Sequence, residues 1–287
     1  MNIDQALALG HKRLTGSDSP DLDARLLLEY VTQANYSQLI AHPEKELNHS
    51  ERRVYQELLL RAAAHEPIPY LLGSAPFYGS DFIVNPAVLI PRPETELIID
   101  SVVDWARKNI NESDNFYIVD VGTGSGCIAI TLAGIFPNAQ IEAIDISADS
   151  LEVAKANAIK YQVCHRINFL HGDLLIPITS NPNLIVANLP YVADDEWSTL
   201  DQSVRLFEPE IALRGGSDGV DMIEDLLVQA RDRLAPGGGI FLEIGWQQGP
   251  MVLQVATSLF PRATIRVRAD LSNKDRIVTI ETIPKKV

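Results

Sequence analysis

The chain has 287 residues, of which 46% are hydrophobic and 22% are charged, enough for one or two globular domains with a full core. Its formal net charge of −14 at pH 7 argues against a binder of naked nucleic acid, because such proteins usually carry a strongly basic face. No stretch approaches the ~18 consecutive apolar residues of a membrane span. Residues 1–5 are acidic and polar, unlike a secretory signal. We therefore expect a cytoplasmic protein that binds a small molecule or another protein.

The cysteines and histidines show no metal-binding pattern. Cys127 and Cys164 are far apart in sequence, and neither belongs to a CxxC or Cys/His cluster. The six histidines are scattered without ligand spacing. We expect two reduced thiols and no metal site.

The first quarter of the chain is typical of an α-helical bundle. Apolar residues recur at helical spacing in residues 4–14, 20–31 and 50–66. Ser19 can cap the second helix, and Pro20 fits its first turn. We predict three helices in an N-terminal domain of residues 1–72. This domain is either a structural cap or a docking module for a macromolecular partner.

Residues 73–96 form a predicted linker. Two short β-like runs, residues 82–84 and 88–90, flank Asn85-Pro86 and predict a β-hairpin. Pro91, Pro93 and several acidic residues follow.

Residues 97–287 form the predicted catalytic domain, in which strands and helices alternate. Strands are predicted at residues 117–121, 141–145, 167–170, 184–187, 239–244, 264–268 and 277–282. Helices are predicted at residues 95–108, 126–136, 148–161, 222–234 and 249–259. This order implies a Rossmann-like α/β fold, with a mostly parallel sheet, helices on both faces and an antiparallel edge.

A glycine-rich turn follows the first of these strands. Its glycines are spaced G-x-G-x-G, and Cys127 stands where dinucleotide enzymes carry their third glycine. Asp120 would repel a pyrophosphate, but its charge suits the ammonium group of S-adenosylmethionine. The predicted cofactor loop consists of Asp120, Gly122, Thr123, Gly124, Ser125 and Gly126.

The next two strand ends carry residues suited to adenosine. Asp145 can accept hydrogen bonds from both ribose hydroxyls. Asp173 can accept one from the adenine amine, and Leu174 can pack on the ring. Because ligands of open α/β sheets bind at the carboxyl ends of strands, the set favours S-adenosylmethionine over a nicotinamide cofactor.

The fourth strand ends in Asn188-Leu189-Pro190-Tyr191, the predicted substrate site. A planar NH₂ group has two protons, which the Asn188 side-chain oxygen and the Leu189 carbonyl can accept. Pro190 holds Leu189 extended, and Tyr191 can stack on the substrate plane. The turn predicts methyl transfer to a planar amide or amine nitrogen, with Asn188 also beside the cofactor.

At these residues the chain resembles the class I methyltransferases with an Asn-x-Pro-Tyr turn. More narrowly, it resembles the peptide chain release factor glutamine methyltransferases, also called the PrmC or HemK family. The resemblance covers almost the whole chain, through residues 66–73, 77–79, 89–96, 120–126, 145, 188–191, 207–209, 215–219 and 275–276. It implies an N-terminal helical domain and catalytic roles for Asn188 and Tyr191. The implied reaction methylates N5 of the glutamine in the Gly-Gly-Gln motif of class 1 release factors, tunes translation termination, and yields S-adenosylhomocysteine.

Leu189 departs from the family's usual Asn-Pro-Pro-Tyr turn. Asn-Leu-Pro-Tyr is usual in ribosomal RNA adenine dimethyltransferases, so N6-adenine methylation of RNA or DNA is the alternative function. Those enzymes are basic and carry their extra domain last, whereas this chain is acidic and carries it first. A non-catalytic scaffold is a distant third. We expect a monomer whose partners are release factors, without membrane or direct nucleic-acid binding.

Overall fold

The computed structural model describes residues 1–110 and 116–284. The chain forms two compact units, the first of Met1–Ala75 with Leu200–Glu208 and the second of Pro76–Thr199 with Pro209–Val287. The chain therefore leaves the second unit after Thr199 and rejoins it at Pro209.

The first unit is helical. Its helices are α1 (Ile3–Arg13), α2 (Pro20–Thr32), α3 (Tyr36–Ala41), α4 (His49–Ala63), α5 (Ile68–Leu72) and, from the later segment, α9 (Gln202–Phe207). The three predicted long helices are confirmed as α1, α2 and α4. The sequence analysis missed α3, α5 and α9, because five or six residues are too few to display a helical period.

Local capping and a buried tyrosine explain the helical packing of this unit. Helices α1, α3 and α4 each begin with a capping box, formed by the pairs Asn2/Gln5, Asn35/Gln38 and Asn48/Glu51. Tyr55 is fully buried, and its hydroxyl donates to the Ala6 carbonyl oxygen at 3.0 Å. This bond joins α4 to α1 inside the apolar core.

The linker contains a hairpin as predicted, but the predicted positions of its two strands are wrong. The hairpin consists of β1 (Ser74–Phe77) and β2 (Ser80–Ile83), joined by Tyr78 and Gly79 with φ of 48° and 74°. Two positive φ values match the tight turns that hairpins favour. Residues 88–90 form no strand. Instead, Asn85 Oδ1 accepts from the Ala87 N–H at 2.9 Å, so the side chain closes a local turn.

The second unit is built on a seven-stranded sheet. The strands are β3 (Tyr117–Val121), β4 (Gln140–Asp145), β5 (Ile167–His171), β6 (Leu184–Ala187), β7 (Gly239–Glu243), β8 (Thr264–Ala269) and β9 (Asp275–Glu281), in the order β5-β4-β3-β6-β7-β9-β8. Strand β9 is antiparallel to β7 and β8, whereas the other pairs are parallel. The helices are α6 (Glu96–Asn109), α7 (Cys127–Ile135), α8 (Ala148–Lys160), α10 (Asp221–Arg233) and α11 (Gly249–Leu259).

This arrangement confirms the Rossmann-like fold with an antiparallel strand near one edge. Strands β3, β6 and β7 are buried along almost their whole length, as expected of strands covered on both faces. Because β3 lies between β4 and β6, the strand order reverses at its carboxyl end, which is where ligands bind in such sheets. None of the described helices is long and apolar enough to cross a membrane.

Candidate active site

A cavity of about 310 Å³ opens at the carboxyl ends of β3, β4 and β6. Most of the predicted site residues line it together: Gly122, Thr123, Gly124, Ser125, Asp145, Asp173, Leu174, Asn188, Leu189 and Pro190. Asp120, Gly126 and Tyr191 do not line the cavity. Asp120 and Gly126 hydrogen-bond Thr123, which does. One cavity thus contains the predicted donor loop and the predicted substrate turn.

The glycine loop needs its glycines for two reasons. Gly122, Gly124 and Gly126 have φ of 70°, 54° and 80°, a left-handed region that other residues rarely adopt. A Cβ on Gly126 would also lie 3.1 Å from Ala154 Cβ on α8. Gly126 therefore permits close packing of the loop against α8, while Gly122 and Gly124 shape the cavity wall.

Asp145 ends β4, is buried, and is held by backbone donors. Its Oδ2 accepts from the Gly124 N–H at 2.9 Å, and its Oδ1 accepts from the Ser147 N–H at 2.8 Å. Burial raises the pKa of Asp145, while these N–H groups oppose the rise. Each oxygen retains a second lone pair, so the fixed carboxylate can accept from two adjacent hydroxyls.

Asp120 lies directly behind the loop and is fully buried. Its Oδ2 accepts from the Thr123 hydroxyl at 2.7 Å and from the Ala129 N–H at 3.1 Å. Burial raises the pKa of Asp120 to about 7, and the negative charge of Asp145 adds to the rise. Its Oδ1 is buried without a hydrogen-bond partner among the described residues.

Leu174 adopts an unusual backbone conformation at the cavity wall. It is 6% exposed and has a φ of 45°, which is uncommon for a bulky residue. Strained positions of this kind cluster at ligand sites. The neighbouring Asp173 is exposed and also lines the cavity.

The predicted substrate turn, residues 188–191, packs against a second glycine-containing loop, residues 215–219. Gln248 Nε2 donates to the Tyr191 carbonyl oxygen at 2.8 Å. A Cβ on Gly215 would lie 2.6 Å from the Pro190 carbonyl oxygen, and one on Gly219 would overlap the Tyr191 carbonyl oxygen. The loop of residues 215–219 can pack on the turn because positions 215 and 219 are glycine.

Leu189 joins the two halves of the cavity. It is 4% exposed, and its Cδ2 lies 3.2 Å from where a Cβ on Gly122 would be. Its side chain thus packs on the donor loop. Its backbone carbonyl, the group proposed to face the substrate, does not depend on the side chain.

Thr95 and Glu243 are site residues that the sequence analysis missed. Both are buried, and Thr95 Oγ1 donates to Glu243 Oε2 at 2.6 Å. Asn188 Nδ2 donates to Thr95 Oγ1 at 3.1 Å, and the Tyr191 hydroxyl donates to Glu243 Oε1 at 3.1 Å. Thr95 lies in the string that carries the family resemblance, but no local pattern signals its contacts.

The linker also contributes residues to the cavity wall, which the sequence analysis did not predict. Residues Ala87, Val88, Leu89 and Pro91 line the cavity, and Ser150 Oγ donates to the Ala87 carbonyl oxygen at 2.9 Å. The stretch predicted to be a strand therefore forms cavity wall.

The residues present fit S-adenosylmethionine. Two buried carboxylates, Asp145 in the cavity wall and Asp120 directly behind the glycine loop, would repel a pyrophosphate and attract a cation. A nearby positive charge would stabilise the buried Asp120 carboxylate, whose Oδ1 has no hydrogen-bond partner among the described residues. Within the described residues, no group of three or more His, Cys, Asp or Glu side chains is placed to hold a metal ion.

Comparison with known proteins matches both halves of the chain. Residues 5–73 match the model of the PrmC N-terminal domain, and residues 99–209 match that of the methyltransferase small domain. A release factor glutamine methyltransferase of Koribacter versatilis is 38% identical, with 97% of this chain and 98% of that protein covered. The chain belongs to the release factor glutamine methyltransferase family. This confirms the resemblance found in the sequence.

Two other matches extend the comparison. A bifunctional methyltransferase of Rickettsia bellii is 36% identical over 93% of this chain, which spans 52% of that longer protein. The solved structure of the Thermus thermophilus 16S rRNA N2 G1207 methyltransferase is 17% identical, with a TM-score of 0.51 over 73% of this chain and 49% of that one. At 17% identity, the similarity to this solved structure shows a shared fold alone. As a member of its family, the chain is a methyltransferase that uses S-adenosylmethionine, as predicted.

Proposed function

We infer that the chain methylates the side-chain amide nitrogen, N5, of the glutamine in the Gly-Gly-Gln motif of class 1 release factors. The observation that carries this inference is that Asn188, Leu189 and Pro190 line the same cavity as Asp145 and the glycine loop. The full-length relatives named for release factor glutamine methylation support the same substrate.

The proposed mechanism is mainly one of positioning. S-adenosylmethionine supplies a methyl group already activated by its sulfonium charge. Asn188 Oδ1 and the Leu189 carbonyl oxygen each accept one N–H of the substrate amide, so that the lone-pair direction of the nitrogen faces the methyl group. Orientation of this kind can contribute about 7–11 kcal/mol to lowering a barrier. The nitrogen releases one proton to water after the methyl group is transferred, so a strong base need not be present.

The remaining proposed roles follow from this arrangement. Asp145 holds the ribose hydroxyls, Asp173 and Leu174 hold the adenine, and the loop from Gly122 to Gly126 holds the amino-acid end near Asp120. We keep Tyr191 as a proposed contact for the substrate plane.

Residues 1–72, 73–96 and 97–287 are our proposed docking domain, linker and catalytic domain. The match to the PrmC N-terminal domain ends at residue 73. We propose a monomer in the cytoplasm, where release factors act, that does not bind nucleic acid directly.

The competing function is methylation of an adenine amine, which presents the same planar NH₂ group. The net charge of −14 and the family match disfavour it. In the test, the enzyme is incubated with labelled S-adenosylmethionine and either a purified class 1 release factor or ribosomal RNA. We expect label on the protein alone. Label on the RNA alone would overturn the proposed substrate.

A further inference from the structure

The Asn188 side chain is held by a chain of buried groups that ends at Glu243. Thr95 is 2% exposed and Glu243 is 1% exposed. Asn188 Nδ2, Thr95 Oγ1 and Glu243 Oε2 follow one another at 3.1 Å and 2.6 Å. We call these three residues the amide relay.

The strand register brings the relay together. Ala187, the last residue of β6, pairs with Leu242 on β7, so the next residues, Asn188 and Glu243, lie at the same end of adjacent strands. Thr95 lies just before α6 and places its hydroxyl between them. The contacts span 93 and 148 residues of sequence, so they exist only in the folded unit.

The relay has a direction. A carboxylate can only accept hydrogen bonds, so the single O–H of Thr95 must donate to Glu243. Thr95 Oγ1 can then only accept from Asn188, and the Asn188 group facing it must be the NH₂. The two ends of an Asn amide have nearly the same shape, and they differ in that the oxygen accepts hydrogen bonds whereas the NH₂ donates them. Glu243 therefore decides which end of the Asn188 amide faces Thr95.

We propose that Thr95 and Glu243 are positioning residues that fix the Asn188 carboxamide with Nδ2 toward Thr95, leaving Oδ1 as the acceptor for the substrate N–H. This proposal rests on the proposed function, in which Asn188 accepts a hydrogen bond from the glutamine amide. With the amide reversed, an NH₂ would meet the substrate NH₂, and no hydrogen bond could form.

Both oxygens of Glu243 accept hydrogen bonds, Oε1 from the Tyr191 hydroxyl and Oε2 from the Thr95 hydroxyl. Burial raises the pKa of Glu243, and the nearby charge of Glu94 adds to the rise. The hydroxyls of Thr95 and Tyr191 and the positive charge of Arg276 oppose it. These two hydrogen bonds and the Arg276 charge favour the carboxylate against the effect of burial. The relay has its direction when Glu243 carries this negative charge.

The first test compares Thr95→Val with Thr95→Ser. Valine keeps the shape but removes the hydroxyl, whereas serine keeps the hydroxyl. We expect Thr95→Val to lower kcat about 10²-fold, the cost of a misplacement of roughly 1 Å, with Thr95→Ser within about threefold of wild type. Ser101→Ala is the matched control, because its buried hydroxyl donates to the Leu97 carbonyl oxygen within α6 and lies outside the relay.

The second test reverses the relay. Glu243→Gln introduces an NH₂ that can donate to Thr95, and Asn188→Asp introduces a carboxylate that can accept from it. Each single variant should lose activity, and the double variant should regain at least about tenfold over Asn188→Asp, because the hydrogen bonds again run in one direction. Glu142→Gln is the control, since Glu142 likewise accepts from a tyrosine, Tyr117, but away from the cavity.

A third readout needs no substrate. In the ligand-free enzyme, the side-chain NH₂ of Asn188, assigned in nitrogen-15 spectra by its loss in Asn188→Ala, should exchange slowly with water. Thr95→Val should remove that protection and Thr95→Ser should preserve it.

The outcomes separate the relay from the substrate. Wild-type enzyme that leaves the release factor unmethylated contradicts the proposed function, while the amide exchange still tests the relay. Full activity and unchanged exchange in Thr95→Val and Glu243→Gln would overturn the relay. If Thr95→Val does not fold, a double variant no more active than Asn188→Asp would overturn it.

Discussion

The cavity has a donor side, with Asp120 and Asp145 beside the proposed methyl donor, and an acceptor side, with Asn188 beside the proposed substrate. The two sides hold their polar groups in different ways. On the side of the proposed methyl donor, the hydrogen bonds that hold Asp120 and Asp145 reach at most 21 residues along the sequence, the longest being that from the Gly124 N–H to Asp145. On the acceptor side, Asn188 depends on Thr95, 93 residues away. The donor side is thus a local motif, whereas the acceptor side is assembled by the fold of the whole unit.

This difference has a consequence for chemistry. Donor-side groups should govern cofactor affinity, because they contact or surround only the methyl donor. Acceptor-side groups should govern the rate of transfer at unchanged cofactor affinity. Variants on each side of the cavity test this division.

The largest effect is expected for Asn188→Ala. It removes the acceptor that orients the substrate nitrogen, so kcat should fall by about 10³-fold or more, as for other groups that act mainly on the transition state. The dissociation constant of S-adenosylmethionine, measured by calorimetry, should change by less than about threefold. Equal activity in this variant would remove the proposed role of the turn.

The next effect is expected for Gly219→Ala. Its Cβ would overlap the Tyr191 carbonyl oxygen, and its φ of 77° would be strained. The turn would move, and kcat should fall by about 10²-fold. Gly134→Ala is the matched control. Its Cβ would meet open space within α7, so the free energy of unfolding should rise by up to about 1 kcal/mol without loss of activity.

On the donor side, Asp145→Ala should weaken S-adenosylmethionine binding by about 10- to 100-fold. The estimate follows from losing charge-assisted hydrogen bonds worth about 1.5–3 kcal/mol. Asp149→Ala, at an exposed position in the first turn of α8, provides the comparison and should bind normally. An unchanged dissociation constant in Asp145→Ala would count against the ribose assignment.

The smallest effect is a pH dependence of cofactor affinity. Asp120 has a pKa raised to about 7, so it is mostly protonated below that pH in the free enzyme. A bound cation favours the carboxylate, so binding below pH 7 must release a proton. Affinity should therefore fall as pH decreases below 7, by at most about tenfold per unit.

The same shift has the opposite sign for stability. The folded chain holds the Asp120 proton more tightly than the unfolded chain, whose aspartates titrate near 4. The contribution of this group to the free energy of unfolding is therefore present at low pH and is lost as pH rises from about 4 to about 7. Asp120→Asn should remove both dependences. Asp145 and Glu243, whose pKa values are also raised, would still contribute a dependence of stability on pH in that variant.

Prediction from the sequence succeeded where the signal is local. Apolar periodicity located every strand of the large sheet, and the glycine spacing located a loop that lines the cavity. The prediction of the second hairpin strand failed, because residues 88–90 are apolar for another reason than strand pairing: Val88 and Leu89 line the cavity. Thr95 and Glu243 could not be found at all, because a lone threonine and a strand-end glutamate become meaningful only when the register of β6 and β7 places them beside Asn188.

The most direct measurement of the central claim is methyl transfer to one nitrogen. The enzyme is incubated with labelled S-adenosylmethionine and a purified class 1 release factor, or with the same factor carrying alanine in place of the Gly-Gly-Gln glutamine. We predict one methyl group on the glutamine amide of the first protein, located by mass spectrometry, and none on the second. Equal labelling of both proteins, or label on neither, would contradict the account.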